Sequence, residues 1–366
     1  MQASAQSLSC SCCSRLPDSP RRRFLTGAAA GFGLAVAGVP PVRAQSQNPM
    51  APGSMPARRI DVHHHIIPPF QKEALESRKL LATPATWTAA LSLEDMDKNG
   101  VEKAVVSVLN PGVWFGTSDE ASRKLARQCN EFAADLARDH PHRFGFFAAI
   151  PLPDTEGSLR EIEYALDTLK ADGIALWTSY AGMYLGDPSF QAVFDELNRR
   201  KAVVFTHPTT PDCCRGLVKN IPAPAIEFPT DTTRTVASLL FGDGGTAFRT
   251  PDVRYIWAHS GGTLPFLSGR LVTQAKARPD PRMPDGPMPF LRRYHYEIAQ
   301  GHTAGQLAAL LKMVPASQLL LGSDFPFRKT QEAVEGLGNY EFTSGERRGI
   351  DRDNAVALMP SLQAKG

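Results

Sequence analysis

A chain of 366 residues, 42% of them hydrophobic and 21% charged, has the composition of a soluble globular protein with one large core or two smaller ones, and excludes the disordered and fibrous classes. Forty Lys and Arg stand against 37 Asp and Glu, a formal charge of +3 that is too small to point to a nucleic-acid partner.

In chain order, Arg21-Arg22-Arg23-Phe24-Leu25-Thr26 precedes a Gly/Ala-rich apolar run from Gly27 to Val39, and Val42-Arg43-Ala44 follows with small residues. A basic start, a weakly hydrophobic middle and a small-residue cleavage site predict a signal peptide over residues 1–44. The arginine pair before Phe24-Leu25 resembles a bacterial twin-arginine export signal, with Pro20 where that pattern has Ser or Thr, and so predicts a periplasmic or secreted protein. The run is too short and too rich in glycine for a good membrane span, and no membrane association is expected after its removal. Its loss takes away five Arg and one Asp, so 35 basic side chains of the original 40 face 36 acidic ones of the original 37, and the mature charge is about −1. Cys10, Cys12 and Cys13 go with it. Cys129 and the pair Cys213-Cys214 remain, too few for a disulfide framework. Residues 45–57 are polar with Pro and Gly and read as a linker to a domain over 58–366.

Apolar runs then alternate with amphipathic helical patterns. Strands are predicted at Arg59–His63, Ala104–Leu109, Phe144–Ile150, Gly173–Trp177, Ala202–His207, Val253–His259, Tyr294–Ile298 and Leu319–Asp324. Helices are predicted between them at Leu93–Lys98, Glu120–Arg138, Ser158–Ala171, Ser189–Arg200, Asp231–Leu240, Leu264–Ala277 and Ala304–Lys312, with a last one near Asp351–Met359. Eight strand-then-helix units predict an α/β fold, a (βα)8 TIM barrel, although a doubly wound open sheet gives the same alternation. The polar residues decide between them. The first strand runs into His63-His64-His65 and stops at Pro68-Pro69; the fifth ends Thr206-His207-Pro208; the sixth ends His259-Ser260-Gly261-Gly262; the eighth ends Gly322-Ser323-Asp324-Phe325-Pro326. Barrel closure brings such strand ends to one mouth, the catalytic face.

Side chains alternate along a strand, so His63 and His65 are expected on one face, with Val62 and His64 on the other. Together with His207 and Asp324 they offer three imidazoles and a carboxylate, a set that suits one zinc ion and also accommodates manganese, with no organic cofactor required. A binuclear centre would need a bridging ligand such as a carboxylated lysine at the end of the fourth strand. Here that strand ends Ala175-Leu176-Trp177, so the centre is expected to be mononuclear. His259 is left as an acid or base beside the metal, with a fifth ligand as its alternative role. Trp114 and Phe115 after the second strand, with Trp177 and Tyr180 after the fourth, are candidate pocket walls. His140, His142, His295 and His302 fall outside the strand-end pattern and are expected to be structural or exposed.

From Ile60 to about Leu358 these motifs resemble the metal-dependent amidohydrolase superfamily, and within it the non-oxidative decarboxylases typified by 2-amino-3-carboxymuconate-6-semialdehyde decarboxylase. The stretches Arg143–Ala148 and Asn198–Phe205 are most similar to the 6-methylsalicylate decarboxylase subgroup. The resemblance also includes Gly269-Arg270, eleven residues past His259. It implies an arginine that reaches a substrate carboxylate, in some cases from a neighbouring subunit, and hence a homodimer acting on a small molecule. Two chemistries use the same side chains. A decarboxylase would deliver a proton to the ring carbon of an aromatic acid from Asp324 or His259; a hydrolase would attack a lactone or amide carbonyl, with Asp324 taking the proton. Arg270 and the aromatic wall favour the aromatic acid.

Overall fold

Eight apolar stretches pair side by side in parallel: β1 (Arg59–Ile66), β2 (Val101–Val108), β3 (Phe144–Ala149), β4 (Gly173–Trp177), β5 (Val203–His207), β6 (Arg254–Trp257), β7 (His295–Glu297) and β8 (Leu319–Leu320). Each strand pairs with its predecessor in the chain, and the last returns to the first. The Val62 N–H donates to the Leu321 carbonyl at 3.0 Å and the Asp324 N–H to the His63 carbonyl at 2.8 Å, closing the sheet into a barrel. These coordinates are a computed structural model that describes residues 58–80, 86–117 and 120–363. The expected signal peptide over 1–44 and linker over 45–57 lie outside the described residues.

The α-helices among the described residues are α1 (Pro69–Ser77), α2 (Ala89–Lys98), α3 (Glu120–Asp139), α4 (Thr155–Glu163), α5 (Gln191–Arg199), α6 (Pro224–Phe241), α7 (Thr246–Arg249), α8 (Leu264–Ala277), α9 (Met288–Arg293), α10 (Ala304–Met313), α11 (Thr330–Gly338), α12 (Ser344–Arg348) and α13 (Asn354–Leu358), the last within the helix expected near Asp351–Met359. Local chemistry starts several of them. The Thr88 side chain accepts from the Leu91 N–H, and the Asp154 carboxylate accepts from the Gly157 N–H, each satisfying a donor that a helix start leaves over. The buried apolar residues of α3, Leu125, Ala126, Cys129, Ala133 and Leu136, recur at helical spacing and form one stripe against the sheet. None of the described helices is long and apolar enough to cross a membrane.

Alternation along the strands divides the apolar residues between two cores. Ala104, Val106, Phe144, Phe146, Ile174, Leu176, Tyr255 and Trp257 face outward into the layer under the helices. Ile60, Val62, Val105, Phe147, Phe205, Ile256 and Leu320 fill the barrel interior. Ala355, Leu358, Met359 and Leu362, late in the chain, belong to that same interior cluster. Arg59 pairs with Asp351 at 3.1 Å and the Arg254 Nη1 donates to the Leu358 carbonyl at 2.8 Å, so this late segment is fastened to the starts of β1 and β6.

Several expectations shift. The helix expected to begin at Asp231 begins at Pro224, because proline is tolerated at a first helical position even though it reads as a breaker. The helix expected over Ser158–Ala171 runs from Thr155 to Glu163 and continues as a wider π turn over Tyr164–Thr168. The alternation expected in β1 also needs correction. Asp61 pairs with Ala104 and His64 with Val106, so three steps of β1 face two of β2. This bulge gives Val62 and His63 the same inner face: Val62 packs with Phe205 in the interior, and the His63 ring lies 5.0 Å from that phenyl. Val62 therefore does not share the face of His64. Beyond the bulge, ordinary alternation keeps His65 inward and sends His64 outward.

Candidate metal centre

Four strand ends converge at the carboxyl-terminal mouth. The inward nitrogens of His63, His65 and His207 and an oxygen of Asp324 all lie within 4.8 Å of one another, and all four residues are buried. His63 Nε2 is 3.0 Å from His65 Nε2, and Asp324 Oδ1 is 3.3 Å and 3.1 Å from those two atoms. The fourth imidazole, His259, stands beside them, its ring 5.1 Å from that of His63 and 5.4 Å from that of His207. His64 takes no part. Its Nδ1 meets Asp61 Oδ2 at 3.0 Å, its Nε2 meets Ser92 Oγ at 2.8 Å, and its ring stacks on Phe325 at 4.7 Å.

The outer nitrogen of each site imidazole is occupied. His63 Nδ1 faces Glu297 Oε1 at 2.8 Å, His207 Nδ1 faces the Pro208 carbonyl at 2.8 Å, and His259 Nδ1 faces the Ala299 carbonyl at 3.0 Å. All three partners accept hydrogen bonds, so each Nδ1 is the donor and, in a neutral ring, Nε2 keeps its lone pair. His65 Nδ1 lies 3.4 Å from the Ser107 hydroxyl. The Pro208 carbonyl also accepts from Asn110 Nδ2 at 2.7 Å, which ties the loop after β2 to the His207 ring.

Sequence reasoning missed Glu297. Fully buried at the end of β7, it accepts from His63 Nδ1, from the His259 N–H at 2.6 Å and from the Ala299 N–H at 2.7 Å. A Cβ on Gly322 would lie 1.9 Å from Glu297 Oε2, so the absence of a side chain there makes room for the carboxylate. The missed signal is an acidic residue set between Tyr296 and Ile298 in an apolar run. Gln300 was missed too; its Nε2 donates to Asp324 Oδ2 at 2.5 Å. His259, Ser260, Gln300 and Asp324 all have left-handed backbones, with φ of 54°, 57°, 53° and 65°. Such conformations cost about 1–3 kcal/mol each for residues other than glycine and cluster at functional sites.

Charge shows what the centre is built to hold. Burial presses His63 toward its neutral form, but the carboxylates of Glu297 and Asp324 outweigh burial and raise its pKa to about 10. Burial, then the positive field of His63, holds His207 well below its ordinary value, and burial likewise lowers His65. Burial alone would raise Asp324, yet the neighbouring imidazoles, His63 first, hold it well below the usual carboxylate range. Two buried carboxylates thus draw one positive charge to a point where imidazole lone pairs already converge. A divalent cation satisfies that arrangement better than a proton, which serves only one nitrogen, and the mixed nitrogen and oxygen donors suit such an ion.

The candidate wall residues separate. Trp177 is buried at the end of β4 with its ring 5.5 Å from His207; Gly112, at φ +83°, passes so close that a Cβ would lie 1.9 Å from Trp177 Nε1. Phe228 of α6, overlooked in the sequence, lies 5.6 Å from His207. Trp114 is half-buried, its indole N–H enclosed without a partner among the described residues. Phe115 packs with Ile67, Leu75 and Leu109 under the guanidinium of Arg78. Tyr180 is not a wall: it is buried in the outer core against Phe190, and its phenol oxygen accepts from the Trp177 N–H at 3.0 Å. An aromatic residue just past a strand end reads alike for wall and core, and here the short hairpin of Ser179–Tyr180 with Met183–Tyr184 folds it inward. Arg270 is exposed on α8, and among the described residues no hydrogen bond or ion pair joins it to the centre of its own chain. Cys129 and Cys214 are buried, Cys213 is exposed, and all three are free thiols.

The amidohydrolase family model matches residues 60–360. A decarboxylase of Aspergillus niger, yanB, is 37% identical over 83% of this chain and 88% of its own length. The 6-methylsalicylic acid decarboxylase of Penicillium expansum is 33% identical over 83% of this chain and 97% of its own. Among solved structures, a Polaromonas dihydroxybenzoic acid decarboxylase with bound manganese and the inhibitor 2-nitroresorcinol superposes with a TM-score of 0.70 at 19% identity, covering 84% of this chain and 98% of that one.

Proposed function

Because the chain belongs to the amidohydrolase family, we propose that it is a non-oxidative decarboxylase that uses one divalent metal ion to release CO2 from a small hydroxybenzoate-like acid, of which 6-methylsalicylate is the model. The observation that carries this reading is the likeness, over 83% of the chain, to decarboxylases that include one for 6-methylsalicylate. The filled set of His63, His65, His207 and Asp324 supports it. Zinc is the expected ion from the three imidazoles, and the manganese in the Polaromonas enzyme supports manganese as the alternative. An ion held by His63, His65, His207 and Asp324 would supply a Lewis acid for the oxygens of a hydroxybenzoate.

The protein's own groups do the rest. Trp177 and Phe228 lie beside His207 and are the apolar rings nearest to hand there for an aromatic substrate. The two carboxylate oxygens of Asp324 are both engaged, one by His63 and His65 and the other by Gln300. His259 keeps its Nδ1–H on the Ala299 carbonyl, so the proton it gives up is one the imidazole has first taken from solvent at Nε2. That proton forms a bond to the ring carbon bearing the carboxylate. The carbon–carboxylate bond then breaks, its electron pair returns to the ring, and CO2 departs. Glu297, on the His259 backbone N–H, keeps this imidazole in place.

The test is to incubate the metal-loaded mature protein with a panel of hydroxybenzoates and lactones while measuring CO2 and acid release separately. CO2 from an ortho-hydroxybenzoate is the expected result; acid from a lactone with no CO2 from any carboxylate would move the assignment to hydrolysis. We also propose that the chain works as a homodimer in which Arg270 meets the substrate carboxylate across the subunit boundary. In support, Phe266, one helical turn before Arg270, is 85% exposed, an apolar side chain that an interface would cover. Arg270→Ala should then chiefly raise KM for carboxylates. Export by the twin-arginine route is proposed from Arg21 and Arg22, and lysine at both positions should strand the protein in the cytoplasm.

A further inference from the structure

We propose that Gln300 is a positioning residue that makes Asp324 a one-oxygen ligand and thereby sets the geometry of the metal centre. The inference rests on the reading that His63, His65, His207 and Asp324 hold a divalent ion.

A carboxylate is free to turn about its last bond, whose rotation is broad and two-fold, and so can present one oxygen or both. Here the two oxygens have different neighbours. Asp324 Oδ1 faces the His65 and His63 nitrogens at 3.1 Å and 3.3 Å, whereas Oδ2 accepts from Gln300 Nε2 at 2.5 Å. An amide in this position directs an N–H at one oxygen and brings no charge of its own. A glutamate would set a second carboxylate against the first, and an asparagine would fall one methylene short.

Gln300 is itself held. Its backbone is left-handed, with φ 53°, and its carbonyl accepts from Gln306 Nε2 at 3.1 Å. The Gln306 Oε1 in turn accepts from the Thr303 N–H at 3.2 Å and the Thr303 hydroxyl at 2.6 Å, in the capping box that opens α10. The residue before it, Ala299, supplies the carbonyl that orients His259. Two consecutive residues after β7 therefore orient a carboxylate from beyond β8 and an imidazole from beyond β6, although neither binds the ion. Groups that orient metal ligands from behind commonly change metal affinity by about 10- to 100-fold when removed.

The experiment uses the mature protein with Gln300→Met, which keeps the volume and removes the N–H, and Gln300→Ala as a second variant. Folding is checked by circular dichroism, Mn2+ affinity by competition with a chromophoric chelator, and coordination by the electron paramagnetic resonance spectrum of bound Mn2+. The expected result is an affinity weaker by roughly 10- to 100-fold, a changed Mn2+ spectrum, and a kcat that falls more than KM rises. A folded Gln300→Met protein with wild-type Mn2+ affinity and spectrum overturns the inference. So does a crystal structure of the Mn2+-loaded wild type in which Asp324 binds through both oxygens, a measurement that does not depend on either variant folding. If the wild type binds no divalent ion, it is the reading of the centre that fails; binding unchanged between wild type and variant refutes the role of Gln300 alone.

Discussion

Replacing Glu297 by glutamine removes one charge and changes almost no volume, which isolates what the buried carboxylate does. Its two oxygens serve three N–H donors, at 2.8 Å from His63, 2.6 Å from His259 and 2.7 Å from Ala299. A glutamine offers one oxygen and an NH2, so at least one donor must face another donor in a fully buried site. Room to turn away is lacking, because the backbone at Gly322 already lies against Oε2. Hydrogen bonds to a charged partner are worth about 1.5–3 kcal/mol, and a buried unpaired donor costs about 1–3 kcal/mol; the expected loss of stability is therefore roughly 2–4 kcal/mol. Glu297 is also the largest influence raising His63, so the substitution weakens the pull of the centre on any cation. Urea midpoints of the metal-free proteins measure the first effect, and chelator competition measures the second, expected at about 10- to 100-fold. A Glu297→Gln protein within about 0.5 kcal/mol of wild type, the scatter typical of unremarkable surface changes, and equal to it in metal affinity would refute the account of β7.

His63→Ala or His207→Ala should lose most of the bound metal, by elemental analysis, whereas His64→Ala should keep it and lose stability, since His64 bonds only to Asp61 and Ser92 outside the centre. Equal metal loss in all three would mean that the alternation of His63, His64 and His65 along β1 is misread. His259→Ala should retain the ion and lose about 10²–10⁴ in turnover, the usual contribution of a positioned proton donor. For metal-free protein the pH dependence has a definite sign. His63 titrates near 10 when folded and near 6.5 when unfolded, so its stabilisation is complete below about pH 6.5 and is lost as pH rises toward 10. Melting temperatures of the stripped protein at pH 7 and pH 10 should differ in that direction, and saturation with metal should flatten the difference; a stripped protein equally stable at both would contradict the charge assignment.

His207, His259 and Asp324 were legible because each ends an apolar run that breaks at Pro or Gly within two residues, and His63 and His65 because an apolar run enters three histidines before Pro68-Pro69, a local pattern that a barrel translates into one mouth. Glu297 and Gln300 were not. Their partners lie far away in sequence, 234 residues in the case of His63 and Glu297, and a single acidic or amide side chain in a strand end carries no local mark of what it faces. The bulge in β1 was invisible for the same reason, since it exists only in the register with β2. Tyr180 and Arg270 show the converse. A tyrosine past a strand end is wall or core according to the path of a hairpin, and an arginine on a helix face gives no sign of what will cover it.

The fastening of the late segment to the barrel floor has a consequence for biosynthesis. Leu358, Met359 and Leu362 complete the interior begun by Ile60 and Val62, and Arg59 finds Asp351 only across 292 residues of chain. A ribosome must therefore add 292 residues after Arg59 before Asp351 exists to pair with it. Until then the interior of the barrel is open at its floor, and apolar side chains such as Ile60 and Phe205 lack part of their cover. Closure from below therefore cannot precede synthesis of this segment, and any species lacking it leaves apolar surface of the interior uncovered.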